Sequence, residues 1–353
     1  MDRHLAPLDH EEVVIRRGRR SGLYTIVAIH STARGPSLGG CRMWAYADAR
    51  AALRDALRLS EGMTYKAAVA GLQQGGGKGV IVVPAGRQLE GEARRAALLD
   101  FGENVAGLDG RYVTAEDVGV TPADIAVVAE VTSHVSALPR ERGGSGDPSP
   151  WTALGVQVAI EVACEQVFGS TDLSERSVAI MGLGHVGGDL ARRLAAAGAR
   201  LVCTDVDDRH RALAERLGAR WAEPAEILAA EVDVLAPCAL GAVLDDESAA
   251  RLRARIIAGA ANNQLVEAEI ADRLAERDIL WVPDFVVNAG GIVNIAVEFG
   301  PGGYDEARAE HGVRAIGDTV RLVLEAARTT GVTPLAAAMA IARRRIAEAT
   351  AAA

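Results

Sequence analysis

Two lysines stand in a run that is otherwise mostly small, apolar or glycine: Gly62-Met63-Thr64-Tyr65-Lys66-Ala67-Ala68-Val69-Ala70-Gly71-Leu72-Gln73-Gln74-Gly75-Gly76-Gly77-Lys78-Gly79. An ammonium is costly to bury unless something pairs with it, so a bound anion is the chemistry such a run invites. Leu59, Met63, Lys66 and Ala70 recur at i, i+4, i+7 and i+11, which puts Lys66 on the stripe expected to face the core. Gly75, Gly76 and Gly77 would let the backbone approach a ligand just before Lys78. Taken singly, Lys66 reads as readily as a lysine snorkelling at a helix edge, and Lys78 as a solvated loop lysine. The pair, with three glycines between, points to a site for an anionic group. It is not a phosphate loop of the Walker type, which needs glycine at position 72 and Ser or Thr at 79; the chain has Leu72 and Gly79.

A second constellation lies further on. The apolar run Ser177-Val178-Ala179-Ile180-Met181 opens into Gly182-Leu183-Gly184-His185-Val186-Gly187, a helical stretch follows to Gly198, and a second run, Leu201 to Thr204, stops at Asp205. This is Gly-x-Gly-x-x-Gly with a strand before it, a helix after it and an acid in register, the context a dinucleotide-binding turn requires. Gly182 makes the tight turn, Gly184 lets backbone approach the pyrophosphate, and Gly187 permits close helix–strand packing. The helix N-terminus, with His185 and Val186 in its first turn, offers N–H donors to the phosphates. Asp205 would accept from the adenosine ribose hydroxyls and repel a 2′-phosphate, favouring NAD over NADP.

The elements that must position these groups follow from pattern. Val13–Ile15 and Leu23–Ile29 read as two strands joined by a turn, and residues 35–40 as a glycine-rich loop. A helix is expected over 48–70, a strand over 79–83 and a helix over 92–107. A further strand, 111–114, leads to Ala115-Glu116-Asp117-Val118-Gly119. Asp117 there is a candidate acid/base group, or equally an N-cap or turn aspartate beside Gly119. Composition turns to Pro, Gly, Arg, Ser and Asp over 138–150, the best linker. Beyond it, helices and strands alternate, with strands at 232–236, 256–258 and 279–282. The ends of these strands carry small or polar residues, including Ala239, Asn262 and Asn288. Ligands of such sheets bind outside the carboxyl ends of the strands, so Asn262 is a candidate contact; a simple turn asparagine is the alternative. The tail from 318 is helical, with Arg343, Arg344 and Arg345 read as a solvated face.

The fold class is therefore α/β in two domains: an N-terminal α/β substrate domain (1–148) and a C-terminal Rossmann-type doubly wound parallel sheet (149–324). Helices of 325–353 pack back toward the first domain, and the active site is expected in the cleft between the two. At 353 residues and 49% hydrophobic, the chain has material for two cores. A net charge of −9 argues against nucleic acid or an anionic membrane as partner. The four cysteines (Cys41, Cys164, Cys203, Cys238) are isolated, as in a reducing compartment, and no metal-ligand spacing occurs. With a polar start over residues 1–12 and no long apolar run, a cytoplasmic protein is expected.

Met63-Thr64-Tyr65-Lys66, Gly75-Gly76-Gly77-Lys78, Thr114-Ala115-Glu116-Asp117-Val118-Gly119, Gly259-Ala260-Ala261-Asn262-Asn263 and Asn288-Ala289-Gly290-Gly291 together resemble the glutamate/leucine/phenylalanine/valine dehydrogenase family. The resemblance runs from about Ile29 to the C-terminus, in both domains and in order. It implies NAD-dependent oxidative deamination of an L-amino acid to a 2-oxo acid and ammonia, and the reverse reaction, in a homo-oligomer. By this resemblance Lys66 binds the substrate carboxylate, Lys78 is the general acid/base, and Asp117 assists proton transfer at the amine. Asn262 helps hold the carboxylate and the nicotinamide end, while Gly39, Gly40 and Met63 line the substrate and Asn288 the cofactor.

Glutamate dehydrogenases of the family carry a lysine in a Pro-x-Lys-Gly-Gly stretch; here Pro36-Ser37-Leu38-Gly39-Gly40 has Leu38 in that place. Leucine cannot compensate a buried distal carboxylate, so an apolar substrate is expected. Features of both branched-chain and aromatic dehydrogenases are present, and the branched-chain reading is preferred. Ile292 and Ile295, three apart on one helix, could shape the side-chain pocket. A hydroxy-acid dehydrogenase and a non-catalytic NAD-binding sensor are the alternatives. The first would need an acidic metal cluster that is not evident, and the second has no use for Lys66, Lys78 and Asp117 together.

Overall fold

In the computed structural model residues 9–352 are described; the first eight residues, part of the polar start considered above, lie outside the described residues. The chain forms two compact units. Unit 1 holds the described residues up to Asp147, with Ile295–Asp305 and the residues from Ala342 on; unit 2 holds Pro148–Asn294 and Glu306–Ile341.

Unit 1 is built on strands β1 (Glu12–Arg17), β2 (Tyr24–Ser31), β3 (Ser37–Ala45), β4 (Gly75–Val83) and β5 (Tyr112–Glu116), with helices α1 (Ala49–Val69), α2 (Gly91–Ala106) and α3 (Pro122–Val128). The sheet order is β1-β2-β4-β3-β5. β1 and β2 form the expected antiparallel pair, β2 is antiparallel to β4, and β3 runs parallel to both β4 and β5. Cys41, Met43 and Ile81 join Phe101 of α2 and Ile125 of α3 on one face; Ile26, Ala28 and Val80 join Ala52 and Ala56 of α1 on the other. The sheet is therefore the middle of three layers.

Three expectations for this unit are corrected. Residues 37–40, read as loop, begin strand β3; its glycines are buried where strands approach closely, and a strand of that composition carries no alternating signal. Gly75, Gly76 and Gly77 lie inside β4 and serve the protein's own packing. A Cβ on Gly76 would stand 2.5 Å from the Cα of Thr64 in α1, and one on Gly77 would stand 2.6 Å from Cδ2 of Tyr112. The buried stripe of α1 is Ala52, Ala56, Ser60, Thr64 and Ala67–Ala68, offset from the stripe expected; Met63 and Lys66 are half-buried beside it. Small side chains take the core face because a glycine-bearing sheet lets the helix come close. Asp48 caps α1, its carboxylate accepting from the Ala51 N–H at 2.7 Å, a contact typically contributing about 1 kcal/mol.

Unit 2 opens with α4 (Ser149–Phe168) and continues β6 (Ser177–Met181), α5 (His185–Ala196), β7 (Arg200–Thr204), α6 (Arg211–Arg216), β8 (Arg220–Trp221), β9 (Val234–Pro237), α7 (Asp246–Arg251), β10 (Ile256–Ile257), α8 (Ile270–Glu276), β11 (Leu280–Trp281), α9 (Asp284–Val287), α10 (Gly290–Ala296), α11 (Glu306–Arg314), α12 (Ile316–Thr330) and α13 (Pro334–Ala352). The last residues of α10 and of α13 are assigned to unit 1. The six strands run in the order β11-β10-β9-β6-β7-β8, and every pair is parallel. Strand order reverses between β6 and β9, the topological switch point of a doubly wound sheet. The two-residue strand β8 escaped the sequence reading.

The helical tail is broken by Gly331, whose φ of +69° ends α12 in the left-handed region. The arginine triplet of α13 is not wholly solvated. Arg343 and Arg344 are exposed, but Arg345 donates from Nη1 to the carbonyls of Ala68 (3.1 Å) and Val69 (2.6 Å) at the end of α1. Arg34 in turn donates to the carbonyls of Leu72 (2.8 Å) and Arg345 (3.1 Å). The orphan carbonyls of a helix C-terminus attract arginine, which the charge pattern alone does not reveal.

Candidate active site

Side chains alternate across a strand, so β3 presents Leu38, Gly40 and Arg42 to the α1 face, and β4 presents Gly76, Lys78 and Val80 to the same face. Asp117, just past β5, joins them. Lys78 is buried at 4% exposure, which rules out the solvated-loop reading, and its Nζ donates to Asp117 Oδ2 at 2.8 Å. Arg42 Nε donates to the same oxygen at 2.9 Å. The close approach depends on Gly40, where a Cβ would lie 2.7 Å from the Cβ of Asp117.

Burial alone would raise the Asp117 carboxyl. The charges of Lys78 and Arg42 and their hydrogen bonds outweigh it, holding the group down at about 2. Its neighbour Glu116 behaves oppositely: burial first, then the charges of Asp147 and Asp117, push it up to about 7. Arg42 is itself anchored, donating from Nη1 to Asp55 Oδ2 of α1 at 2.9 Å; that oxygen also accepts from the Tyr46 hydroxyl at 2.7 Å, and Asp55 Oδ1 accepts from Arg58 at 3.0 Å. Arg42, Asp55 and Tyr46 were missed in the sequence because residues 37–40 were read as loop. Read as a strand, they put Arg42 two places from Gly40 on the same face.

The rest of the expected substrate set has definite places. Leu38 is buried at 1% exposure and pairs in register with Gly76 and Val113. Gly39 is also buried, and its carbonyl accepts from the Tyr112 hydroxyl at 2.5 Å. Thr64, two residues before Lys66, rests on Gly76, and its hydroxyl is 2.9 Å from Nδ1 of His30. Ile292 and Ile295 are both buried on α10.

In unit 2 the turn after β6 has the geometry its glycines foretold. Gly182 has a φ of +102°, and a Cβ there would lie 2.6 Å from the Cβ of Ala239 beyond β9. A Cβ on Gly187 would press on the Gly182 carbonyl and stand 3.1 Å from the Cβ of Cys238. Gly184 is the N-cap of α5 and supplies no side-chain cap, so the first N–H groups of that helix lack an internal acceptor. His185 is exposed there and Val186 half-buried. Asp205 is fixed: Oδ2 accepts from the Leu183 N–H at 2.6 Å and lies 3.0 Å from Nδ1 of His210, and Oδ1 accepts from the Asp207 N–H at 2.9 Å. Burial opposes its ionisation, but these donors and His210 keep its pKa below the ordinary value.

Asn288 donates from Nδ2 to Asn262 Oδ1 at 2.8 Å and to the Ala260 carbonyl at 3.0 Å. Its own Oδ1 is buried without a hydrogen-bond partner. A buried amide oxygen left so is costly and calls for a donor. These groups suit a dinucleotide: free helix N–H groups for phosphates, a fixed carboxylate for ribose hydroxyls, and an acceptor for a carboxamide N–H.

Comparison with known proteins agrees. Residues 10–134 match the family model described as Glu/Leu/Phe/Val dehydrogenase, dimerisation domain, and residues 203–353 match that described as Glutamate/Leucine/Phenylalanine/Valine dehydrogenase. Leucine dehydrogenase of Bacillus cereus is 44% identical over 98% of this chain and 93% of its own length. Valine dehydrogenase of Streptomyces albus is 44% identical over 96% and 93%. Among solved structures, L-tryptophan dehydrogenase from Nostoc punctiforme superposes with a TM-score of 0.82 at 38% identity, covering 97% of each chain.

Proposed function

The chain belongs to the Glu/Leu/Phe/Val dehydrogenase family and is an amino-acid dehydrogenase, and we propose that it deaminates a branched-chain L-amino acid with NAD as oxidant. The products are the 2-oxo acid and ammonia, and the reaction is reversible. The observation that carries the reading is the pair of buried Lys78 and half-buried Asp117, 2.8 Å apart. A lysine held against a carboxylate, with a fixed arginine beside it, is equipped to pass a proton in either direction.

Lys66 binds the substrate α-carboxylate, its charge neutralised there as neither Gly39 nor Gly40 could do it. A bound nicotinamide would supply the hydride acceptor; with its Cα hydride gone, the substrate is an iminium. Lys78 in its neutral form takes a proton from the water that adds to the iminium carbon. Asp117, an anion throughout, stabilises the cationic nitrogen, and protonated Lys78 returns its proton to that nitrogen, which departs as ammonia as the carbinol hydroxyl loses its proton back to Lys78. In unit 2, Gly182, Gly184, His185, Val186 and Gly187 would hold the pyrophosphate. Asp205 would hold the adenosine ribose, and Ala239, Asn262 and Asn288 the nicotinamide end. The carboxylate of Asp205 supports NAD over NADP, since a 2′-phosphate there would meet a held anion.

Leu38 supports an apolar substrate, being fully buried where a glutamate side chain would need a cation. The leucine and valine dehydrogenases among the relatives favour the branched-chain class, and Ile292 and Ile295 are assigned to its pocket. Selection by one methylene contributes only about 1–3 kcal/mol, so neighbouring apolar amino acids should also be turned over. A panel of L-leucine, L-valine, L-isoleucine, L-phenylalanine, L-tryptophan and L-glutamate, each with NAD and NADP, tests this by reduced-nucleotide absorbance. Branched-chain substrates with NAD should give the highest kcat/KM, and glutamate should be inert. Lys78→Ala should lower kcat by about 10²–10⁴-fold with NAD affinity unchanged. Wild-type turnover in that variant removes Lys78 from the mechanism. The protein is further proposed to be a homo-oligomer.

A further inference from the structure

The two cations on Asp117 Oδ2 differ in kind. Lys78 must change charge in each turnover to handle a proton, whereas an arginine keeps its charge at every accessible pH. Arg42 Nε reaches Asp117 at 2.9 Å while its Nη1 reaches Asp55 at 2.9 Å, and Asp55 is steadied by Tyr46 at 2.7 Å. The guanidinium is thus held at both ends, between the strand that carries it and helix α1. From this geometry we propose that Arg42 is a positioning residue of the reaction: it clamps Asp117 and keeps that carboxylate anionic while Lys78 gives up and regains its proton. The inference rests on the roles proposed above for Lys78 and Asp117.

When Lys78 is neutral, Asp117 would otherwise stand buried with no cation and would take up a proton itself. With Arg42 in place it remains an anion, and because both cations bond Oδ2, Oδ1 is the oxygen presented to the substrate amine. The other ionisable groups near the pair are Asp55 on α1, Cys41 and Tyr46 on or beside β3, and Glu116 and Tyr112 on β5. Of these, Glu116, pushed up to about 7, would give an inflection of its own. It is present in parent and variant alike, so the quantity read is the limb that moves between them.

The experiment compares wild type with Arg42→Met, Arg42→Lys and Tyr46→Phe. Measured for each are the thermal melt, NAD affinity by fluorescence, and kcat and kcat/KM for the best amino-acid substrate from pH 6 to 11. Arg42→Met should bind NAD as wild type does and lose kcat by roughly 10–100-fold through misplacement of Asp117. Its rising limb for oxidation should move to higher pH, because Asp117 without Arg42 takes up a proton more readily. Arg42→Lys should return the limb toward its wild-type position but recover kcat only in part, because one ammonium cannot bridge both carboxylates. Tyr46→Phe, which keeps every charge, should lower kcat with the limb in place. A folded Arg42→Met with wild-type kcat and limb overturns the role. If Arg42→Met does not fold, wild-type kcat in both other variants overturns it as well. A wild-type protein inert toward every amino acid refutes the reaction itself, an outcome distinct from an active enzyme indifferent to Arg42.

Discussion

Glu116 and Asp117 are consecutive carboxyls with opposite fates, one raised to about 7 and the other lowered to about 2. Period 2 explains it. The strand turns Asp117 toward Lys78 and Arg42, while Glu116 meets burial and the negative charges of Asp147 and Asp117. In the folded protein Glu116 keeps its proton to about 7, whereas in the unfolded chain it loses it near ~4.3. Between those values the folded state binds more protons, so its stability falls as pH rises through the window and is level above it. Glu116→Gln should abolish that decline. Urea midpoints at pH 5 and pH 8 should then differ less than in wild type, by on the order of 1 kcal/mol after allowing for solvent screening. An unchanged difference would mean that Glu116 titrates normally. Lys78 and Asp117, which the structure pairs, were legible in the sequence because charge in a glycine and alanine setting is conspicuous. Arg42 was not, since an arginine near a glycine pair looks like any surface arginine until the strand is recognised.

Among the elements, those with a strong period or a signed turn were legible: the β1–β2 pair, α1, and the β6–turn–α5–β7 unit. Strand β3 and the first half of β4 were not, for one shared reason. Where backbone layers approach closely, glycine replaces the alternating apolar residues that advertise a strand. The same closeness set the buried stripe of α1 on alanine, serine and threonine, away from leucine and methionine. Gly76 is the tightest point of that contact. Gly76→Ala would place a methyl group 2.5 Å from the Cα of Thr64, forcing α1 outward at a cost of about 1–3 kcal/mol. Because Lys66 lies one turn or less from Thr64, KM for the amino acid should rise as well, while NAD affinity holds. A variant with wild-type urea midpoint and KM would show that the helix floats freely over the sheet.

On the scale of the whole chain, the alternation of strands and helices announced a doubly wound parallel sheet, and the six parallel strands of unit 2 realise it. The edge of the other sheet offers a surface for the proposed homo-oligomer. β1 is an edge strand with Ile15 half exposed, and Tyr24 beside it on β2 is equally so. An open apolar edge is a ready partner for another chain. Sedimentation or light scattering should therefore give a multiple of 36.8 kDa, and a monomer at micromolar concentration would count against the homo-oligomer. A last consequence concerns biosynthesis. Unit 1 is not contiguous: its α1 is closed off by Arg345, 276 residues beyond Val69. A domain made of one early segment can fold while the ribosome is still elongating. Here the helix bearing Lys66 waits for its final hydrogen bonds until Arg345 has been made, so a product stalled or truncated before it lacks the closure of that helix even though all of the helix's own residues are present.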